Sequence, residues 1–391
     1  MRVLVVHNRY SSRTPSGENM AVDDEARWLA EAGVDVVRHL VSNDAMVDVG
    51  PLARVRDGIG AVWSVPAGRR FEQVLDQARP DVVHVHNLFP LLTASVPAAA
   101  ARRGVPTVWT VHNRRVACVA GGNFRDGHPC HECRRGWRVP GIVHSCYAGS
   151  RSASALVTAA TTVFRREAAR DRLVPVAISE SMADWLAGTG AFPRDAVRVK
   201  YNGVASPVGP VPPAAGQRGF LCVGRLSAYK GVRLLLDAWA RTDVDAELVI
   251  VGDGDLGPEV AAAAARDPRV RWAGHLPAEG VAEELRAARV AVVPALWDEP
   301  FGRTAAEALA YGRPVITTGR GALREIVDDS TGWVVEATVD ALAAALGAAA
   351  VDDEDVAARS RAADARHAAR FSPEVTTEVL VRLYKEVRDQ G

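Results

Sequence analysis

Two glutamates eight positions apart frame one segment, Glu299-Pro300-Phe301-Gly302-Arg303-Thr304-Ala305-Ala306-Glu307. The apolar run over 290–294 predicts a buried strand before it, and residues 305–311 predict a helix. A helix N-terminus presents unpaired amides and about half a positive charge, so the amides of residues 302–304 suit a phosphate group. Carboxylates only accept hydrogen bonds, so the two glutamates suit hydroxyl groups. The segment therefore predicts a site for a ligand that carries both phosphate and hydroxyls.

Two cations lie in a second segment that suits phosphate. Arg225 and Lys230 belong to Gly224-Arg225-Leu226-Ser227-Ala228-Tyr229-Lys230-Gly231, between a predicted strand over 220–223 and a helix that begins near Val232. An arginine fork and a lysine ammonium near a helix start can hold phosphate oxygens and stabilise charge on a leaving group. In isolation the pair would indicate two solvated surface cations, so the prediction depends on its combination with the glutamates.

Further candidates lie in the first half of the chain. His112 and Asn113 follow the predicted strand over 107–111, and ligands of open α/β sheets bind at the carboxyl ends of strands. Gly17 and Glu18 precede a predicted helix, within Pro15-Ser16-Gly17-Glu18-Asn19, where a glycine lets backbone amides approach a ligand. Most lone histidines after strands are structural, so the neighbouring motifs carry the functional prediction.

These motifs resemble the retaining glycosyltransferases of family 4, also called group 1, which have the GT-B fold. The resemblance covers nearly the whole chain and is most specific in its second half. It implies that Glu299 contacts the transferred sugar and that Glu307 binds the nucleotide ribose. Phe301, Gly302, Arg303 and Thr304 would then hold sugar and diphosphate, while Arg225 and Lys230 would neutralise the departing diphosphate.

The resemblance implies less specific roles in the first half. His112 would lie beside the donor sugar and diphosphate, and Gly17 would approach the diphosphate or the acceptor. Glu18 and Asn113 are the acceptor-side candidates. Residues 16 and 17 are Ser-Gly where the family has Gly-Gly, a departure that weakens the prediction at this position.

The function that the resemblance implies is transfer of a sugar from a nucleoside diphosphate sugar, linked to UDP or GDP, with retention of configuration. His112, Arg225, Lys230 and Glu299 are its expected catalytic residues, without a catalytic metal. The acceptor nucleophile belongs to a glycan, a lipid carrier or a small natural product. The alternatives are a sugar-phosphate phosphorylase or a nucleotide-sugar epimerase of the same fold, and a noncatalytic protein that binds nucleotide sugars.

Two other patterns count against rival chemistries. The segment Gly252-Asp253-Gly254-Asp255 has the Asp-x-Asp spacing of a metal site, but its place after a strand predicts a turn. A Gly-x-Gly-x-x-Gly motif after the first strand and a Walker lysine are both absent from the sequence, which weakens the dehydrogenase and NTPase alternatives.

Four of the five cysteines lie in an insertion over about 113–150, and the fifth, Cys222, lies in a predicted strand. Cys130 and Cys133 form a Cys-x-x-Cys pair that Cys118 and Cys146 flank, so four thiolates could surround a structural Zn²⁺. Free thiols and disulfides are the alternatives, and a cytoplasmic location disfavours disulfides. Six arginines of the same segment predict a solvated basic face or an acceptor-binding lid: Arg114, Arg115, Arg125, Arg134, Arg135 and Arg138.

The composition of the chain limits its expected partners and location. The 391 residues include 47 basic and 47 acidic ones, and this balance argues against a nucleic-acid partner. An apolar run near 18 residues is absent, and the first apolar stretch turns polar by His7, so we expect a cytoplasmic protein without a secretory signal or transmembrane segment. Peripheral membrane contact through a local patch stays open, and the sequence does not indicate an oligomeric state.

Alternating apolar runs and amphipathic stretches predict an α/β chain with two Rossmann-like domains that face a cleft. Predicted strands cover 3–6, 34–40, 82–85, 107–111 and 174–178, then 220–223, 247–251, 270–273, 290–294 and 315–318. The predicted domains are 1–203 on the acceptor side and 218–371 on the donor side, joined by a Pro- and Gly-rich linker over 204–217. The resemblance implies that a terminal helix over 372–391 returns to the first domain, with Val375, Val379 and Leu383 on one face.

Overall fold

The computed structural model describes residues 1–10, 12, 16–46, 60–170 and 173–390. Pro15 of the predicted segment before the first helix lies outside the described residues. The chain divides into two compact units. One comprises Met1–Asn123, Cys130–Gly203 and Thr376–Gly391, and the other comprises Phe124–Pro129 and Val204–Val375.

The strands of the first unit are β1 (Arg2–Arg9), β2 (Asp35–Ser42), β3 (Val82–Val85), β4 (Thr107–Val111), β7 (Val174–Ala177) and β8 (Arg198–Val199). They form a six-stranded parallel sheet in the order β2-β1-β3-β4-β7-β8. Helices of this unit cover Gly17–Glu31, Val65–Ala78, Ser95–Arg102, Val139–Val143, Arg151–Arg170 and Glu180–Ala187. The strand order reverses between β1 and β3, so the carboxyl ends of these two strands form a switch point, where open α/β sheets bind ligands.

The strands of the second unit are β9 (Gly219–Val223), β10 (Leu248–Val251), β11 (Val270–Gly274), β12 (Ala288–Val293), β13 (Val315–Thr317) and β14 (Gly332–Val334). They form another six-stranded parallel sheet, in the order β11-β10-β9-β12-β13-β14. Helices cover Val232–Trp239, Gly257–Arg266, Ala278–Ala287, Arg303–Ala310, Leu323–Ile326, Val339–Val351 and Asp353–Arg370. Here the order reverses between β9 and β12, which makes the carboxyl ends of those strands the second switch point.

The predicted strands are confirmed. Most of their apolar runs are buried on both faces, as a parallel sheet with helical cover requires, whereas the edge strands β2 and β11 are largely half-buried. Four strands of two or three residues were not predicted: β8, β14, and the two strands of a small hairpin, β5 (Phe124–Arg125) and β6 (His128–Pro129). Two or three residues are too few to show a strand periodicity. Within the described residues, the helices are all too short or too polar to cross a bilayer.

The terminal helix Pro373–Asp389 begins as predicted, with Ser372 Oγ accepting a hydrogen bond from the amide of Val375 at 3.4 Å. From Thr376 onward it belongs to the first unit, where Leu380, Leu383 and Tyr384 pack into the core beside β1. The predicted apolar face was partly wrong, because Val375 and Val379 are only half-buried. The buried face of the helix includes Tyr384 instead, and the Tyr384 hydroxyl hydrogen-bonds to a buried side chain of the same unit.

One glycine decides how closely two loops of the second unit pack. Gly231 has φ of 76°, and a Cβ there would lie 1.8 Å from the carbonyl oxygen of Pro294. Gly231→Ala therefore combines left-handed strain with a backbone clash, and we expect it to destabilise the unit by about 3 kcal/mol. The unfolding midpoint by calorimetry measures this loss.

Gly347→Ala is the matched control, because it lies inside the helix Val339–Val351 with nothing within 4 Å of its added Cβ. Alanine favours a helix interior by about 1 kcal/mol over glycine, so this variant is expected to be at least as stable as the parent. Equal midpoints for the two variants would contradict the close packing at Gly231.

Candidate functional site

The switch point of the second unit brings together two loops. One follows β9 and contains Arg225 and Lys230, and the other follows β12 and contains Glu299. The contact at Gly231 lets the first loop approach the second. The first loop also packs on the turn after β10, where a Cβ on Gly252 would lie 1.9 Å from the Gly224 carbonyl oxygen. The sheet order and the contact at Gly231 thus place the two predicted motifs at one edge.

Lys230 and Glu299 contact each other directly. The Nζ of Lys230 donates a hydrogen bond to Oε1 of Glu299, and it lies 5.2 Å from the ring centroid of Trp297. The Glu299 side chain is only 6% exposed, whereas that of Lys230 is 30% exposed. Backbone contacts hold the glutamate, since its carbonyl accepts from the amide of Ala322 at 3.0 Å. The ion pair therefore joins a fixed carboxylate to a cation that still reaches solvent.

Gly302, with φ of 96°, is the N-cap residue of the helix Arg303–Ala310. Its earliest internal donors are the amides of Ala305 and Ala306, which both bond to the Gly302 carbonyl. The amides before them lie at the positive end of the helix dipole. This start has the orientation that an anion-binding helix requires.

The remaining members of this motif take different positions. Arg303 Nε donates to Oε1 of Glu307 at 2.7 Å, so that glutamate is paired within its own helix. The ring of Phe301 is buried and lies 6.0 Å from that of Phe371. A ligand can therefore reach Phe301 only through its backbone. The hydroxyl of Thr304 lies in the first turn of the same helix.

Arg225 is exposed, and within the described part of the chain its guanidinium has no hydrogen-bond or ion-pair partner. The neighbouring segment 252–255 forms the predicted turn: Oδ1 of Asp253 accepts from the amide of Gly254 at 2.7 Å. The carbonyl of Asp253 also accepts from the amide of Leu226 at 2.9 Å. This turn fixes the backbone directly after Arg225 and leaves the side chain available to a ligand.

The switch point of the first unit is rich in histidine. Nδ1 of His86, after β3, lies 2.9 Å from Nε2 of His112, after β4, and the two rings stack at 5.2 Å. Burial lowers the pKa of both rings well below the usual value, and the charges of neighbouring histidines and Lys200 lower it further. His112 is therefore a neutral imidazole near neutral pH, with one ring nitrogen already engaged.

A buried acid lies behind these histidines. Glu25 Oε2 accepts a hydrogen bond from Lys200, while its Oε1 lies 3.3 Å from Nδ1 of His84 and 3.5 Å from Nε2 of His86. Nδ1 of His84 is also 2.6 Å from the hydroxyl of Tyr384 in the terminal helix. Within the described residues, Glu25, His84 and His86 are the set whose ligand atoms approach closely enough for a metal ion.

Sequence reasoning missed this network, although one signal was present. The strand Val82–Val85 and the residue after it read Val-Val-His-Val-His, with two polar rings in a buried apolar run. Buried polar side chains need partners, so the pattern could have predicted an interior hydrogen-bond network. Glu25, Lys200 and Tyr384, which also belong to the network, have no local motif.

Glu18 and Asn113 are brought together as neighbours. Oε2 of Glu18 accepts from Nδ2 of Asn113 and from the hydroxyl of Tyr10, each at 3.1 Å. Burial raises the pKa of the Glu18 carboxyl. Gly17 begins the helix behind the cap Ser16, and a Cβ on it would meet nothing within 4 Å. Space therefore does not require the glycine at this position.

A cavity that the sequence did not predict lies beside these groups and has a volume of about 90 Å³. Trp109, Val111 and Phe164 give it an apolar wall, while Glu18 and His112 lie at its polar side. Arg115 also lines it, and its guanidinium lies over the rings of Phe89 and Tyr147 at 5.4 and 5.6 Å. An apolar group that carries a hydrogen-bonding substituent would match this lining.

The arginines of the cysteine-bearing insertion are mainly structural. Arg134 and Arg135 donate to the carbonyls of Asp184 and Gly188, and Arg138 donates to the carbonyl of Thr158. These contacts anchor the insertion to two helices, which corrects the expectation of a solvated basic face. All five cysteines are free thiols, so the disulfide alternative is not realised.

Two family models match most of the chain. Residues 15–206 match the family model described as Glycosyltransferase Family 4, and residues 217–352 match the model described as Glycosyl transferases group 1. A similar relative is the glycogen synthase of Mycobacterium tuberculosis, 28% identical over 405 residues, with 94% of this chain and 89% of the relative covered. The D-inositol 3-phosphate glycosyltransferase of Kribbella flavida is 34% identical over 180 residues, which is 42% of each chain.

Solved structures show the same architecture. HepE of Anabaena, in complex with UDP, has a TM-score of 0.69 at 16% identity, with 99% of this chain and 100% of that chain covered. Sucrose-phosphate synthase of Thermosynechococcus elongatus has a TM-score of 0.67 at 18% identity, with both chains fully covered. At such identities the likeness shows the fold, which is the GT-B fold. With most of its length matched by the two family models, the chain belongs to the glycosyltransferases of family 4 and group 1.

Proposed function

We propose that this glycosyltransferase moves a hexose-like sugar from a nucleoside diphosphate sugar to an acceptor nucleophile, with retention of anomeric configuration. The observation that carries the proposal is the meeting of Arg225, Lys230 and Glu299 with a helix start at one switch point. Cations and helix amides suit the diphosphate, and the buried carboxylate suits a sugar hydroxyl. These complementary groups are the parts that a donor site needs.

The donor is proposed to lie with its diphosphate at the amides of Gly302, Arg303 and Thr304. Glu307 then accepts hydrogen bonds from the ribose hydroxyls, in exchange for its present contact with Arg303. The solved structures of HepE contain UDP and UDP-glucose. We therefore place UDP-sugars before GDP-sugars in the order of testing.

The proposed reaction is a front-face displacement. The acceptor hydroxyl attacks the anomeric carbon while the bond from that carbon to the diphosphate oxygen breaks, and the nucleoside diphosphate leaves with the bonding electrons. An oxygen of the departing phosphate takes the acceptor proton. Arg225, Lys230 and the helix amides stabilise the leaving charge, so the step is proposed to proceed without a metal ion.

The acceptor is proposed to bind in the first unit, at the cavity lined by Trp109 and Phe164. Glu18 and Asn113 lie at its polar side and would orient a hydroxyl of the acceptor. The apolar wall favours an acceptor with an aromatic or aliphatic portion over a purely polar sugar chain. His112 borders the same cavity and would orient the donor.

A panel of UDP-, GDP- and dTDP-sugars tests the proposed function. The expected result is thermal stabilisation by one nucleotide series and slow release of nucleoside diphosphate and free sugar. NMR of the first-formed sugar is expected to show the anomeric configuration of the donor. Release of a sugar phosphate, epimerisation without an acceptor, or binding without any turnover would contradict the proposal.

Removing either cation should reduce turnover. Arg225→Ala and Lys230→Ala are each expected to lower kcat about 100-fold or more, because charge on the leaving group loses a fixed partner. Arg225 has no structural partner in the described chain, so its replacement is expected to leave the unfolding midpoint unchanged. Steady-state release of nucleoside diphosphate measures the effect.

Arg218→Ala is the control for charge, since Arg218 pairs with exposed Asp245 in the same unit and lies outside the predicted site. Its kcat is expected to match the parent. Near-normal turnover in Lys230→Ala with an intact fold would contradict the assigned donor site.

Glu307 gives a test of the ribose contact. Glu307→Gln is expected to weaken binding of the nucleoside diphosphate roughly tenfold, because the ribose hydroxyls then donate to a neutral amide and no longer to a charged carboxylate. The same change should not affect the 2′,3′-dideoxy nucleotide, which lacks those hydroxyls. Calorimetric titration of both nucleotides gives the comparison, with Glu259→Gln at an exposed ion pair as control. Equal weakening of both nucleotides by Glu307→Gln would refute the ribose role.

We also propose that Cys118, Cys130, Cys133 and Cys146 bind one structural Zn²⁺. Burial raises the pKa of the Cys133 thiol and the other three thiols add to the rise, so the four share one neighbourhood. The amide of Asn123 donates to Sγ of Cys118 at 3.4 Å. No three of these Sγ atoms lie within 4.8 Å of one another in the described chain, so binding would have to draw the insertion together.

Elemental analysis of protein prepared without chelators is expected to give about one zinc per chain. Cys130→Ser should lower that content, while Cys222→Ser, at a thiol buried in a strand of the second unit, should not. Parent protein without stoichiometric zinc would exclude the site.

A further inference from the structure

The hydrogen bond between His86 and His112 leaves one nitrogen of His112 for a ligand. Because Nε2 of His112 lies 2.9 Å from Nδ1 of His86, Nδ1 of His112 is the nitrogen that remains. A neutral imidazole carries one proton, so the nitrogen that holds it decides whether Nδ1 donates or accepts. The contacts on the far side of His86 determine that choice.

Glu25 faces the far side of His86. Among the residues that the structure describes, Oε1 of Glu25 and Nε2 of His86 are both buried without a hydrogen-bond partner, and they lie 3.5 Å from each other. A lone pair on Nε2 would face a carboxylate oxygen in a medium of low dielectric, which is costly. A proton on Nε2 turns the same contact into an attraction, and a neutral His86 then has a lone pair on Nδ1.

We propose that Glu25 and His86 hold His112 as the Nε2–H tautomer, so that Nδ1 of His112 accepts a hydrogen bond from a hydroxyl group of the bound ligand. In this arrangement His112 donates from Nε2 to Nδ1 of His86, and His86 donates from Nε2 towards Glu25. Glu25 and His86 are positioning residues that act through His112. The identity of the hydroxyl, on the sugar or on the acceptor, rests on the proposed function.

The surrounding groups agree with this direction. Lys200 binds the other oxygen of Glu25, and Thr110 Oγ1 lies 2.7 Å from Nε2 of His84. A proton on Nδ1 of His84 can then be shared between Glu25 and the Tyr384 hydroxyl. Each ring nitrogen that faces the carboxylate thus carries hydrogen.

A metal ion at Glu25, His84 and His86 would explain the same unpartnered atoms. It would have to compete with Lys200 for the carboxylate and with Tyr384 for Nδ1 of His84. His7, whose Nε2 lies 2.8 Å from Oδ1 of Asn19, completes the titratable groups around His86. The ammonium already supplies the positive charge that a buried carboxylate needs.

NMR of the full chain with ¹⁵N-labelled histidine reads the tautomer of His112 without any catalytic assay. The parent is expected to show the proton on Nε2. Glu25→Gln is expected to move it to Nδ1, because the amide oxygen keeps Lys200 and the amide nitrogen then donates to His86, which reverses the chain. His112→Asn identifies the signal.

A pair of variants at His86 keeps the test independent of Glu25. Glutamine, which both donates and accepts, should preserve the Nε2–H form in His86→Gln, whereas His86→Leu removes the acceptor and should give a mixture of tautomers. We expect kcat/KM to fall roughly tenfold in His86→Leu, the loss of one hydrogen bond, and to recover in His86→Gln. A purely structural role would not move the proton.

Three results would overturn the inference: a proton on Nδ1 in the parent, an unchanged tautomer in both Glu25→Gln and His86→Leu, or stoichiometric metal in the parent that Glu25→Gln removes. The predicted tautomer in a chain that turns over no nucleotide sugar would instead refute the proposed function and leave this inference standing.

Discussion

The contact between Lys230 and Glu299 is the interaction on which the account of the second unit depends. A diphosphate leaving group gains negative charge as its bond to the sugar breaks, and fixed cations and amides stabilise that charge without reorganisation. The ion pair holds a loop from β9 against a loop from β12, with the carboxylate buried and the ammonium still accessible. Gly231 makes this approach sterically possible, since a Cβ there would meet the Pro294 carbonyl. The sheet order then sets both loops beside the start of the helix that follows.

The switch point of the first unit differs from that of the second in its charge. Its switch point contains neutral rings, because burial lowers the pKa of His84 to about 4 and those of His86 and His112 well below the usual value. Near neutral pH such rings offer directed hydrogen bonds and not charge. In the proposed function, the cations of the second unit bind the diphosphate, and the first unit offers oriented neutral groups beside an apolar cavity.

Much of the fold was predictable because parallel strands covered on both faces leave long apolar runs in the sequence. The positions of the motifs that we propose bind the donor were predictable for a related reason, since each occupies a short loop between a strand and a helix. Two details at these elements were not. The ring of Phe301 turned out to be buried, and the apolar face of the terminal helix was rotated, because both depend on which neighbours pack against them.

The buried network of the first unit could not be predicted in the same way. Glu25 and Lys200 are 175 positions apart, and Tyr384 is 300 positions from His84. Local periodicity says nothing about such pairs, and the two histidines in β3 and just after it indicated only that partners must exist. The arginines of the insertion were equally ambiguous, because a solvated cation and one bonded to a helix-end carbonyl look alike in sequence.

A crystal structure with the nucleoside diphosphate that stabilises the protein most would test the central claim directly. The account predicts a diphosphate that accepts hydrogen bonds from Arg225, Lys230 and the amides at the start of the helix Arg303–Ala310, with the ribose on Glu307. A nucleotide bound elsewhere in the chain, with Arg225 and Lys230 away from its phosphates, would contradict it.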